Sequence, residues 1–108
     1  MVNDLTDGTA NKGYRILVVD DEEDLCEILK FNLETEGYTV ETANSAEEAL
    51  TLDIANFNLL LLDVMMGGMS GYSLAKKLKA APATAQIPII FLTARDSEND
   101  TITGFNIG

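Results

Sequence analysis

Short, nearly continuous apolar runs alternate with segments of helical spacing along this chain, and that alternation restricts its fold more than any other feature. Tyr14-Arg15-Ile16-Leu17-Val18-Val19 reads as a strand buried on both faces of a parallel sheet. Asn58 to Asp63, with four consecutive leucines, and Pro88 to Thr93 read the same way. From Glu22 to Glu36, Leu25, Ile28, Leu29 and Leu33 recur at helical spacing, and Gly37 stops that helix. Tyr38 to Ala43 alternates in β fashion. Ser45 with Glu48 is a capping-box pattern that opens a helix through Ala46, Ala49 and Leu50. After a loop with Gly67, Gly68 and Gly71, Tyr72 to Ala80 predicts a helix with Leu74, Ala75 and Leu78 on one face, and Pro82 marks a break. Asp96 or Ser97 is placed to cap a last helix toward Gly108. The order β-α-β-α-β-α-β-α implies right-handed crossovers and one α/β domain, a parallel sheet with helices on both faces.

Totals narrow the function. The 108 residues suit one core, and no apolar run reaches membrane-spanning length. Residues 1–13 read as a polar tail without the apolar stretch of a signal peptide, and residues 14–108 as the domain. Cys26 is the only cysteine, so no internal disulfide forms, and a cytoplasmic home is expected. A net charge of −11 repels nucleic acid and suits a cation or a basic protein surface, although solubility alone explains such a charge equally well. Without any histidine, the chain supplies neither an imidazole base nor a zinc–imidazole site.

In open parallel sheets, ligands bind beyond the carboxyl ends of the strands, where strand order reverses. Asp20 and Asp21 follow the first strand, Asp63 closes the third, and Thr93 closes the fourth. Three carboxylates on one rim raise one another's pKa unless a cation joins them, and hard oxygen ligands select Mg2+ or Mn2+. A carboxylate beside such a cation can attack phosphorus to give an aspartyl phosphate. Singly, each residue has a plainer explanation: Asp20 or Asp21 as a helix cap, Asp63 as a turn residue, Thr93 as a strand-end hydroxyl. Their joint placement at strand ends favours chemistry, with Asp63 as phosphoacceptor and Thr93 touching the phosphoryl group. Met65, Met66 and Met69 read as packing or loop residues.

The segments Ile16-Leu17-Val18-Val19-Asp20-Asp21-Glu22, Leu62-Asp63-Val64-Met65-Met66 with Met69-Ser70-Gly71, and Pro88 through Arg95 resemble the receiver domain of two-component response regulators. The resemblance runs from about Tyr14 to the end of the chain. It implies a flavodoxin-like strand order 2-1-3-4-5, a histidine kinase as phosphodonor, and Asp63 as acceptor. It also implies Asp21 and Asp63 as direct Mg2+ ligands, Asp20 as a ligand through water, and the backbone carbonyl of Met65 as the last protein ligand. Ala94 would leave access to the phosphoryl group. The Leu92-Thr93-Ala94-Arg95 wording looks most like regulators with a winged-helix DNA-binding output domain. The domain would then be a phosphorelay switch, not a metabolic enzyme, and would itself touch neither nucleic acid nor membrane.

Two departures from the family pattern set further expectations. Gly67 stands where the family usually has proline, which loosens the loop after the acceptor. The family's lysine, its aromatic switch residue, its fifth strand and its last helix would lie past Gly108, so an unfinished sheet edge along Pro88–Leu92 is expected either to invite self-association or to be closed by a continuation beyond Gly108. Three other function classes fit less well. A phosphohydrolase with an aspartyl nucleophile wants a second Asp where Met65 stands. A flavin site wants a phosphate loop where Asp20-Asp21-Glu22-Glu23-Asp24 is acidic. An inert module of the same fold would not need the carboxylates.

Overall fold

The computed structural model describes residues 13–92. The strands are β1 Arg15–Val19, β2 Thr39–Ala43, β3 Leu59–Asp63 and β4 Ile89–Leu92; the helices are α1 Glu23–Thr35, α2 Ala46–Ala49 and α3 Gly71–Ala80. The strands form one parallel sheet in the order β2-β1-β3-β4. The chain steps from β1 outward to β2 and then crosses to the other side of β1 for β3. That reversal places the switch point between the ends of β1 and β3.

The central strands β1 and β3 bury both faces, as their unbroken apolar runs require, whereas the outer strand β2 alternates exposed and buried residues. On one face Leu17, Val19, Leu60, Leu62, Ile89 and Phe91 pack against Ala46 and Ala49 of α2 and Leu74, Ala75 and Leu78 of α3. On the other, Ile16, Val18, Val40 and Leu61 pack with Cys26, Leu29 and Leu33 of α1. The expected doubly wound layering and the order 2-1-3-4 are therefore present.

Three local expectations differ. Ile28, read as part of the buried stripe of α1, is 55% exposed, and Cys26 takes the buried place. The stripe runs Cys26, Leu29, Leu33, the i, i+3, i+7 spacing of one helix face. The helix opened by Ser45 lasts only from Ala46 to Ala49, and Leu50 is left at the surface. A short 3-10 turn, Ile54–Asn56, carries the chain on instead and buries Ile54 and the following Phe57. Gly71, read as a flexible loop residue, is buried and starts α3. Other signals hold: Ser45 accepts from the Glu48 N–H at 2.9 Å while Glu48 accepts from the Asn44 N–H at 2.8 Å. Gly37, with φ of 102°, ends α1 in a conformation that favours glycine.

Among the described residues β4 is an outer strand. The expectations for Thr93 and for the last helix fall on residues outside the described ones.

Candidate metal centre

The acidic residues gather at the switch point. Asp20 is the residue after β1, and its N–H donates to the Ala43 carbonyl at 3.0 Å, so the end of β2 holds it in place. Asp63 is the last residue of β3. Its neighbour Val64 donates its N–H to Leu92 O at 3.2 Å, which ties the end of β3 to β4. Asp20, Asp21 and Asp63 each present a carboxylate oxygen, and these atoms lie within 4.8 Å of one another. Asp20 and Asp63 are buried, whereas Asp21 is exposed. The sequence placed these three together, and the fold does so.

The environments of the three differ. Asp20 Oδ1 accepts from the Glu22 N–H at 2.9 Å, in an Asx-type turn into α1. It does not cap the helix, whose N-cap is Glu22. Asp20 Oδ2 is buried without a hydrogen-bond partner. Burial pushes the Asp20 carboxyl above its ordinary pKa; the Glu22 N–H opposes this, and the charges of Asp21 and Glu22 add to it. A side-chain hydrogen bond with Asp63 also opposes the rise, as the smallest of these effects. Asp63 Oδ1 accepts from the Met65 N–H at 3.3 Å. That bond curls the loop after β3 back toward the Asp63 carboxylate. Met65 is 67% exposed, while Met66 and Met69 pack against the core.

An orphaned buried oxygen facing two other carboxylates is a site where either a proton or a cation must lie to relieve repulsion. A donor set made wholly of oxygen fits a hard divalent cation such as Mg2+. The residues present therefore fit the expected cofactor.

Two residues near the site were not legible from the sequence. A Cβ at Gly71 would lie 2.0 Å from the Asp63 carbonyl oxygen, so α3 begins in direct contact with the backbone of Asp63. The Gly71 N–H donates to Val64 O at 3.1 Å. Cys26 donates its thiol to the Asp20 carbonyl at 3.3 Å. Burial, with the Asp20 charge next, pushes the Cys26 thiol up to about 11. Below that value the unreactive thiol dominates. Iodoacetamide at neutral pH is expected to alkylate Cys26 far more slowly in the folded domain than in urea; equal rates would contradict this burial.

Known proteins agree with this geometry. The profile of the response regulator receiver domain family matches residues 16–108. The response regulator SaeR of Staphylococcus epidermidis is 41% identical over 93 residues, covering 86% of this chain and 40% of SaeR. The phosphate regulon transcriptional regulatory protein PhoB of Rhizobium meliloti is 42% identical over 95 residues, 87% of this chain and 42% of PhoB. The chain thus spans about two-fifths of the length of these curated relatives. Among solved structures, the response regulator TrrA of Thermotoga maritima in complex with Mg2+-BeF is 42% identical, with a TM-score of 0.70 over 77% of this chain and 71% of TrrA. With the matching profile, the shared strand order and the acidic centre at the switch point, this chain belongs to the receiver domains of two-component response regulators.

Proposed function

We propose that Asp63 accepts a phosphoryl group from a sensor histidine kinase, in a Mg2+-dependent step, and that the domain thereby controls a DNA-binding output domain of the winged-helix class. The observation that carries this reading is the buried, unpartnered Asp20 Oδ2 facing Asp21 and Asp63 at the switch point. The Mg2+ in the TrrA complex and the transcriptional role in PhoB's name support it. Asp21, Asp63 and the Met65 carbonyl would hold the ion directly, and Asp20 through water. Bound Mg2+ would offset the charge of the carboxylates and of the incoming phosphoryl oxygens.

In the transfer, an Asp63 carboxylate oxygen attacks phosphorus. An O–P bond forms as the P–N bond to the kinase's histidine breaks, and the imidazole departs with that bond's electron pair. Leu92 sits beside Asp63 in the sheet register, so the next residue in sequence, Thr93, is our candidate for contact with a phosphoryl oxygen and for passing the change onward. The domain works in the cytoplasm as a switch whose only chemistry is its own phosphorylation and dephosphorylation. Among the described residues, no helix is long and apolar enough to cross a membrane.

The test is to incubate the chain with acetyl phosphate and weigh it intact. With Mg2+ the mass rises by one phosphoryl group; with EDTA it does not. No gain in Mg2+ would refute the reading.

We also propose that the kinase docks on α1. Its first turn comes directly after Asp21, and it exposes Ile28 and Phe31, the latter at 70%, beside Asp24 and Glu27. An apolar shelf with an acidic margin, on the helix that follows Asp20 and Asp21, suits a helical partner of opposite charge. Phe31→Ala should slow transfer from the cognate kinase by on the order of 10-fold, the usual scale for losing one aromatic anchor. Labelling by acetyl phosphate, which needs no docking, should stay unchanged. Equal slowing with both donors would contradict docking at this shelf.

A further inference from the structure

The Asp20 peptide is gripped from an unexpected side. Its carbonyl oxygen points between α1 and the end of β2, where the side-chain amide of Asn44 donates to it at 3.1 Å. The Cys26 thiol donates to the same oxygen at 3.3 Å, and the Asn44 amide also reaches Cys26 Sγ at 3.7 Å. Asn44 is itself fixed, because its backbone N–H donates to Glu48 Oε1 at 2.8 Å, within the capping box of α2. The N–H of Asp20 is held by Ala43 O. The peptide groups on either side of the Asp20 Cα are therefore both held, the preceding one at its N–H by Ala43 and the following one at its C=O by Asn44, the residues that end β2 and begin the next turn. A carboxylate on one short methylene follows its peptide closely, and this one has only its Oδ1 otherwise tied down, by Glu22.

We infer that Asn44 is a positioning residue for the metal centre: by clamping the Asp20 carbonyl, it aims the buried Asp20 Oδ2 at the space shared with Asp21 and Asp63. The inference rests on the Mg2+ reading above. Groups that orient a metal ligand from behind typically matter 10–100-fold in affinity. The thiol is a weak donor and cannot replace the amide. Asn44 makes no use of its side chain in the capping box, so its removal leaves the α2 cap intact.

Titration of the whole chain with Mg2+, followed by calorimetry and by the backbone amide NMR signals of Asp20 and Asp21, tests this. Asn44→Ala should weaken Mg2+ binding by about 10-fold. Asn44→Leu, which fills the space without a donor, should do the same and carries the test where the alanine variant fails to fold. Thr84→Ala, which removes the buried 2.6 Å hydrogen bond to Leu78 O near the far end of α3, should lower stability in urea yet leave the Mg2+ dissociation constant unchanged. Wild-type affinity in a folded Asn44 variant would overturn the inference alone. Equal weakening in Thr84→Ala would also overturn it, because loss of overall stability would then explain the effect. No Mg2+ binding by the wild-type chain would overturn both the inference and the reading beneath it.

Discussion

Replacing Gly71 by alanine should cost the domain at least the ~1–3 kcal/mol typical of forcing an extra methyl into a packed site. The new Cβ would lie 2.0 Å from Asp63 O, 2.9 Å from Asp63 C and 3.2 Å from Val64 Cα. All three are backbone atoms of the acceptor strand and its first loop residue, so no side chain can swing away. Either α3 must retreat from β3, which opens the cluster around Leu74 and Leu62, or the Asp63 peptide must turn. The second response would also displace the acceptor carboxylate. Urea denaturation should show a lower midpoint, and Mg2+ binding should weaken. Gly67 provides the contrast: a Cβ there meets nothing within 4 Å. Gly67→Ala should be neutral or stabilising by roughly 0.4–1 kcal/mol, through the narrower unfolded ensemble. Equal midpoints for the two variants would contradict the contact at Gly71.

Magnesium should raise the melting temperature, and Asp21→Ala should abolish the rise. A ligand of the native state at about a hundred times its Kd adds roughly 2.7 kcal/mol. Here the gain has a specific source, the repulsion among carboxylate oxygens within 4.8 Å of one another. The pH dependence follows from the raised pKa of Asp20. Because its folded value lies above its unfolded one, its contribution to stability is complete below the ordinary carboxylate range. That contribution is lost as pH rises through the raised folded value. The Mg2+-induced gain should thus be largest above that value and shrink in acid, where protons compete for the same oxygens. In Asp21→Ala the metal-free domain should melt no lower than wild type, since a repelling charge is gone. A wild-type melting temperature indifferent to Mg2+ at neutral pH would contradict this account of the site.

The parts of the molecule that were legible in the sequence are those governed by local pattern. The leucines of β3 and the run Ile16–Val19 could only satisfy burial on both faces in a central parallel strand, and their ends fixed where Asp20 and Asp63 would stand. The capping box at Ser45 and the stop at Gly37 were readable because they are short-range bonds. What the sequence hid depends on non-local approach. Nothing in the spacing of α1 distinguishes Cys26 from Ile28 as the residue facing the sheet; the angle at which the helix leaves Asp21 decides it. The glycine-rich loop announced freedom at Gly67, Gly68 and Gly71 alike. Only packing shows that Gly68 takes a φ of 79°, that Gly67 stands in open space, and that Gly71 is a contact point. Asn44 gave no signal, because its partner lies 24 residues earlier in the chain.

The central claim is that one carboxylate in the acidic centre carries the phosphoryl group. Borohydride reduces an aspartyl phosphate to homoserine and leaves free carboxylates untouched, so it records which aspartate was phosphorylated. The chain, treated with Mg2+ and acetyl phosphate, trapped with borohydride, digested and sequenced by mass spectrometry, should carry homoserine at position 63 alone. The Asp63→Asn protein, nearly identical in shape, should carry none. Homoserine at Asp20 or Asp21, or equal phosphate uptake by Asp63→Asn, would contradict the assignment.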